Sequence, residues 1–290
     1  MGITSANFNR IIDLTFIPTT GDPRKIICPR YGRKPSIEIN GTFSPDMTLP
    51  AFNITVKNLY LDLQKEQYAK IKVNCGYEGN TIPIEGTILS IFQESPGPDG
   101  TTVIQCQLGN MEDWLEATVS LNYDAGASLT EILDAIKTKL GASQVFTGTK
   151  AKALTLEEPF MHDGSARSAL SKLAKVFEGK RLAVFMRDTT LCAVCMTSGD
   201  FISTQVLKYM SAPPQMNPGS DKGTYYTTIT APWMPKLRIG DILEIPSRIY
   251  MYNYNLVGSG KTQKIQVTAI SFHFGTTGGT NSMTVQGFIS

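Results

Sequence analysis

From Phe8 to Leu121 apolar and polar residues alternate in short runs, which is the two-residue period of a strand with one face buried. The clearest runs are SIEINGTF (Ser36 to Phe43), FNITVKNL (Phe52 to Leu59), AKIKVNC (Ala69 to Cys75), TIPIEGTILSIF (Thr81 to Phe92) and TTVIQCQL (Thr101 to Leu108). Between the last two, the prolines and glycines of ESPGPDG (Glu94 to Gly100) predict a turn. LDLQKEQY (Leu61 to Tyr68) predicts one short helical turn inside the series. Many short strands at this spacing predict a sandwich or a barrel.

After Asn122 the period changes. Ser128-Leu-Thr-Glu131 has the form of a capping box, in which the Ser128 hydroxyl accepts from the Glu131 backbone N–H and the Glu131 carboxylate reaches back. Leu129, Ile132, Leu133, Ile136 and Leu140 then fall on one stripe of a 3.6-residue period, and Gly141 is placed to stop the helix. A second helix is predicted from about Ser165 to Glu178, with Ala166, Ala169, Leu170, Leu173, Ala174 and Phe177 inward, Asp163 near its start and Gly179 after it. Strands follow at Leu182 to Arg187 and Thr190 to Met196, joined by a turn at Asp188.

From Phe201 alternation returns in YYTTITA (Tyr225 to Ala231), DILEIPS (Asp241 to Ser247), RIYMYNYNLV (Arg248 to Val257), TQKIQVTAISFHF (Thr262 to Phe274) and SMTVQGFI (Ser282 to Ile289). Ahead of them, Ser211 to Gly223 is a Pro- and Gly-rich stretch that predicts a long loop, mobile or in contact with a partner. The pattern gives an α+β, mainly β fold: a β-domain at residues 1–121, an α/β insert with two helices at 122–198, and a second β-domain at 199–290.

Composition narrows the class. Of 290 residues 41% are hydrophobic and 18% charged, which fits a globular chain of two or three domains and argues against disorder. The 27 Lys and Arg against 25 Asp and Glu leave a net charge of +2, far from the basic footprint of a dedicated nucleic-acid binder. Residues 200–290 are mildly basic, with 7 basic and 4 acidic side chains, yet hold no polybasic run. The opening MGITSANFNRIIDLTFI lacks the parts of a secretory signal, so no export is expected. Without 18 consecutive apolar residues anywhere, no membrane-spanning helix is expected either. Five scattered cysteines (Cys28, Cys75, Cys106, Cys192 and Cys195) read as reduced, mostly buried thiols.

Each motif with chemical promise falls short. Gly258-Ser-Gly-Lys-Thr262 ends like a phosphate-binding loop, but the earlier glycine is replaced by Asn255 and a strand, not a helix, follows; a hairpin turn is expected. Cys192 and Cys195 have C-x-x-C spacing, but on a strand that spacing sends the sulfurs to opposite faces, and no second pair completes a zinc site. His162 and His273 are the only histidines, so a Ser-His-Asp or Cys-His machine has little to draw on. Glu157 and Glu158 are neighbours in an extended segment and point apart, unlike a glycosidase's carboxylates. Tyr250, Tyr252 and Tyr254 could stack bases, but without clustered Lys and Arg they read as a strand face on a core or partner. Trp114 and Trp233 read as core or interface anchors. No catalytic, cofactor-binding or metal-binding residue is expected, and no cofactor.

The order of several short motifs carries a resemblance. Ile54-Thr-Val-Lys-Asn-Leu59 is followed by Lys72-Val-Asn-Cys-Gly-Tyr-Glu-Gly79 and Ile84-Glu-Gly86; after the two-helix insert come Pro235-Lys-Leu-Arg-Ile-Gly-Asp241 and a final hairpin at Ile265 to Phe274 and Ser282 to Ile289. This order, over nearly the whole chain, resembles the baseplate hub, or tail hub, proteins of tailed phages and related contractile injection machines. The resemblance implies a structural virion component and not an enzyme. It implies a homotrimer whose chains each supply two tube-like antiparallel β-barrel domains, giving six similar units around a DNA channel. Such a ring would join a hexameric tail tube protein to a trimeric central spike or tail-tip protein, beside neighbouring baseplate proteins. DNA would pass through only transiently, and no stable membrane association is implied. The location implied is the virion tail baseplate, after synthesis in the host cytoplasm. Two other readings compete: a carbohydrate-binding or adhesion β-module displaying Tyr250 and Tyr252, and a cell-wall hydrolase, which the scarcity of histidine opposes.

Overall fold

The computed structural model describes residues 9–27, 35–44, 51–57, 68–93, 100–108, 117–187, 189–196, 200–207, 215–218, 225–234, 236–246, 262–277 and 281–289. The first region forms β1 (Arg10–Pro18), β2 (Arg24–Ile26), β3 (Ser36–Phe43), β4 (Ala51–Lys57), β5 (Tyr68–Tyr77), β6 (Asn80–Gln93) and β7 (Thr101–Leu108). The insert forms β8 (Thr118–Tyr123), α1 (Leu129–Leu140), β9 (Gln144–Thr147), α2 (Thr149–Lys152), β10 (Phe160–Ser165), α3 (Ala166–Val176), β11 (Leu182–Arg187) and β12 (Thr190–Cys195). The last region forms β13 (Thr204–Val206), β14 (Gln215–Pro218), β15 (Tyr225–Pro232), β16 (Ile242–Ile245), β17 (Gln263–Gly275) and β18 (Ser282–Ile289). The α+β, mainly β class read from the pattern is the fold observed.

The sequence readings of Leu61 to Gln67, Asp188 and Arg248 to Val257 lie outside the described residues. One reading is corrected: the stretch Ser211 to Gly223 is not loop throughout, because Gln215–Pro218 add a strand to β15. Its Pro and Gly residues mask a segment too short to show a period.

The insert packs around its own core. Ser128 Oγ accepts from the Glu131 N–H at 3.2 Å and the Ser128 N–H donates to Glu131 Oε2 at 2.9 Å, so the capping box that begins α1 is complete. Gly141 ends the helix at φ 62°, a left-handed conformation that glycine adopts without a Cβ penalty. Leu129, Ile132, Leu133 and Ile136 are buried against Ala169, Leu170 and Leu173 of α3, with Leu140 partly buried. Two small sheets carry the helices, β10–β8 and β11–β12–β9. Thr118 to Leu121, which alternation attaches to the first region, pair with β10 of the insert.

All other strands join a single 13-stranded sheet, in the order β14-β15-β18-β17-β3-β4-β7-β6-β5-β1-β2, with β16 on β17 and β13 on β16. The two strand-rich regions are therefore joined edge to edge in one sheet. β17 is long enough to serve two partners along one edge: Gln263 to Gln266 pair with β16, and Ile270 to Gly275 pair with β3. A continuous core follows, in which Ile37, Ile39 and Phe52 of the first region and Ile270, Phe272 and Phe274 of the last belong to one buried cluster. At the crossing, Gly41 lies so close to Phe52 and the Phe272 ring that a Cβ would stand 2.9 Å from both.

Within that sheet one topology occurs twice. In the first region five successive strands, β3 to β7, lie side by side as β3-β4-β7-β6-β5, each pair antiparallel. In the last region the five strands β14 to β18 lie as β14-β15-β18-β17-β16, again antiparallel throughout. Both units take the spatial order first, second, fifth, fourth, third.

The likeness extends to detail. In each unit the fourth strand is long and carries one extra residue against the fifth: Leu89 between Ile88 and Ser90, and Thr268 between Val267 and Ala269. Such bulges sharpen the twist of a strand. Four residues before each bulge sits one half of a cross-strand ion pair with the third strand. In the first unit it is Glu85 with Lys72 at 2.7 Å; in the second it is Lys264 with Glu244 at 3.0 Å, with the charges exchanged.

Candidate assembly surfaces

The residues weighed for chemistry are scattered by the fold. Cys192 packs with Phe185 and Val194 where the insert meets the sheet, whereas Cys195 faces the helices of the insert, so the two sulfurs lie on opposite faces of β12 as their spacing predicts. Cys75 and Cys106 are buried in the large core, and all four described cysteines are buried. Burial pushes the Cys75 thiol up to about 12, countered in part by the nearby Arg238 charge, and pushes Cys106 up as well. His162 Nε2 lies 3.1 Å from the Ser165 carbonyl at the start of α3, and His273 sits on β17 far from it in the fold's order. Glu157 and Glu158 are both exposed. Trp233 is a core residue, with its ring 4.9 Å from that of Phe272 and 5.8 Å from that of Phe274. Tyr250, Tyr252, Tyr254, Trp114, Cys28 and Gly258 to Lys261 lie outside the described residues. Among the described residues no three His, Cys, Asp or Glu side chains are grouped to hold a metal ion, and no helix is long and apolar enough to cross a membrane.

What the sequence did not show is how the insert is fixed to the sheet. Asp241 is fully buried at the end of the turn made by Gly240, at φ 81°. Its Oδ1 accepts from Arg187 of β11 at 2.6 Å and from the Ser203 hydroxyl at 2.7 Å, and its Oδ2 accepts from the Arg238 N–H at 3.0 Å. Asp200 is also buried, and its carboxylate accepts from the N–H groups of Lys150 and Ala151 at the start of α2 and of Cys195 at the end of β12. Gln266 of β17 donates from Nε2 to the carbonyls of Cys195 and Asp200. Arg181 completes the junction by lying over the Phe288 ring of β18, 5.2 Å from its centroid. Buried carboxylates with this many donors fix geometry. Of the two carboxylates only Asp241 stood in a motif that the sequence singled out; apart from Arg238 and Cys195, their partners come from distant positions.

Cross-strand ion pairs lie on exposed strand faces. Besides the two equivalent ion pairs, Lys57 of β4 meets Glu38 of β3 at 2.8 Å. Large exposed apolar side chains are few among the described residues, and two of them, Leu89 and Phe92, sit at the far end of β6, with Phe92 53% exposed.

This combination of paired five-strand units, a helical insert and paired surface charge has the fold of tail proteins. The chain superposes over 98% of its length on a tail protein of Neisseria meningitidis, covering 97% of it, with a TM-score of 0.59 at 8% identity. It is similar over 97% of its length to 96% of a 43 kDa tail protein of prophage MuSo2 from Shewanella oneidensis, with a TM-score of 0.56 at 11% identity. A third similar structure is an Escherichia coli component of the type VI secretion system that is itself described as structurally similar to bacteriophage T4 tail proteins; 89% of this chain covers 74% of it, with a TM-score of 0.56 at 10% identity. In sequence, no protein-family model and no curated protein matches the chain. The likeness is therefore one of fold.

Proposed function

We propose that the chain is a structural hub subunit of a phage-like tail, non-enzymatic, three copies of which form a ring between a hexameric tail tube and a trimeric spike. The observation that carries this reading is the double occurrence of the five-strand unit within one chain. Two similar units per chain make six around a trimer, which meets six-fold symmetry on one side and three-fold symmetry on the other. A cyclic ring needs heterologous contacts that close, and strand-rich units offer edges for them. The partners are then two further copies, the tube protein, a spike or tail-tip protein and neighbouring baseplate proteins, in the tail of a virion. The strand-rich regions β1 to β7 and β13 to β18 are the two tube-like domains, and β8 to β12 with their helices are the insert.

DNA in such a channel must move freely. A lining of basic side chains would hold phosphates by counterion release. A net charge of +2 with cross-strand ion pairs on the solvated strand faces suits transit in place of retention. The test is electron microscopy of the purified chain with its mass in solution. The expected particle is a three-chain ring with six similar lobes around a hole; a ring of six chains, or a persistent monomer, would overturn the reading.

A further inference from the structure

The repeated unit has an asymmetry that the isolated chain leaves open. In the second unit, the fourth strand β17 runs past its third-strand partner β16, and its free edge is covered by β3, the first strand of the first unit. In the first unit, the fourth strand β6 likewise runs past its third-strand partner β5, whose ladder stops at Thr87. Beyond it, Ser90 to Phe92 carry no second ladder among the described residues. The first strand of the second unit, β14, stands at the end of the sheet with its outer edge bare among the described residues.

We propose that the ring closes by strand pairing between copies, with the overhang of β6 pairing antiparallel to the outer edge of β14 of the neighbouring copy. The seam repeats between chains the pairing that β17 and β3 make within one chain. It rests on the ring reading above and adds to it a defined contact.

The internal pairing also gives the register. Ile270 and Ser271 stand two and three residues past the Thr268 bulge and pair with Phe43 and Thr42. Ile91 and Phe92 stand two and three residues past the Leu89 bulge. On the other side, Gln105 of β7 faces Asn53 of β4, which faces Asn40 of β3. Gln286 of β18 faces Thr228 of β15, which faces Gln215 of β14. Gln215 is thus the equivalent of Asn40, and Asn217 and Pro218 are the equivalents of Thr42 and Phe43. The seam sets Ile91 opposite Pro218 and Phe92 opposite Asn217 of the neighbouring copy. Pro218, which has no N–H to donate, falls at the last position of its strand, where the ladder ends.

A second, independent observation marks the same place. Exposed apolar side chains on an open strand edge template pairing with another chain, and Leu89 and Phe92 lie at this overhang. The committed occupant is a second copy of this chain, because only the unit's own first strand has a counterpart already seated on the equivalent edge.

The test uses the full chain. Phe92→Cys combined with Asn217→Cys, oxidised and run on a denaturing, non-reducing gel, is expected to give bands of two and three chains, while each single variant and the parent remain at one. Phe92→Lys is expected to lower the solution mass from three chains to one with the circular-dichroism spectrum of the folded chain retained, since the side chain is half exposed in the single chain. A three-chain mass without cross-linking, or a Phe92→Lys protein that stays trimeric, overturns the seam and leaves the hub reading standing. A monomer without cross-linking overturns both. Cross-linked ladders that run past three chains keep the seam and overturn the trimer.

Discussion

A carboxylate with no exposure has to replace all its water with donors, and Asp241 does so with three. Arg187 and Ser203 reach it from positions 54 and 38 residues away, so the sequence around Gly240-Asp241 shows a turn but not the joint it makes. Removing one partner of a buried pair leaves the other charge uncompensated. Asp241→Ala is expected to cost about 3–5 kcal/mol in denaturant unfolding, and Arg187→Met in the Asp241→Leu background to recover part of that loss. An effect under about 0.5 kcal/mol would mean that the pair is solvated. The thiols are a second case: spacing alone was enough to place Cys192 and Cys195 on opposite faces. With Cys75 pushed up to about 12 by burial, its thiolate is scarce at neutral pH. A thiol reagent is expected to react with Cys75, Cys106, Cys192 and Cys195 only after denaturation, when all five cysteines of the chain titrate as free; rapid reaction of the four in native protein would contradict their burial.

Elements were legible in proportion to their length and period. β3, β7 and β18 occupy the residues that alternation assigns them, and α1 and α3 lie where their apolar stripes do, because a stripe or alternation sustained over 8 or more residues outweighs local noise. β9 and α2, each 4 residues long, and β14 within its Pro-rich stretch, show no period at all. α1 carries its own pH dependence. Its Glu131 is held below the ordinary value of 4.5 chiefly by the Ser128 N–H, then by the Ser128 hydroxyl. A carboxylate depressed in the folded state stabilises it above the ordinary value, and that contribution is lost as the pH falls through its folded value. Ser128→Ala is expected to lower stability by about 1 kcal/mol at neutral pH, and Glu131→Gln to flatten the dependence below about pH 4.5. Leu133→Ala, in the buried stripe, is expected to lower stability by about 2–5 kcal/mol at any pH; a smaller and pH-dependent loss would place the stripe in solvent.

At the scale of the molecule, the alternating regions on either side of the insert were visible, but the repeat between them was not. Equivalent positions keep their pairing geometry and change their residues: Ile54 and Ile104 stand where Ile229 and Val285 do, and the Glu85–Lys72 pair returns as Lys264–Glu244 with the signs exchanged. A sequence search for repeated letters finds nothing there, since what recurs is a register, a bulge and a charge balance. The join between the two regions was not visible either, because alternation says which residues face inward and says nothing of which edge meets which. The long-range choice belongs to β17, whose 13 residues span both units.

That choice sets a clock for synthesis. The Ile37 N–H donates to Thr276 Oγ1 across 239 positions, and β3 keeps one edge bare until β17 arrives. Pairings this remote in sequence close large loops before any contact rewards them, so sealing of the first unit waits on β17. Refolding from denaturant is expected to be slow, on the order of milliseconds to seconds or longer, and a chain ended at residue 262 is expected to aggregate through the bare edge of β3, as seen by light scattering against the full chain at equal concentration. A chain made only as far as β16 has neither a complete second unit nor a sealed first one, so the ring proposed above can draw only on chains in which β17 and β18 are already in place.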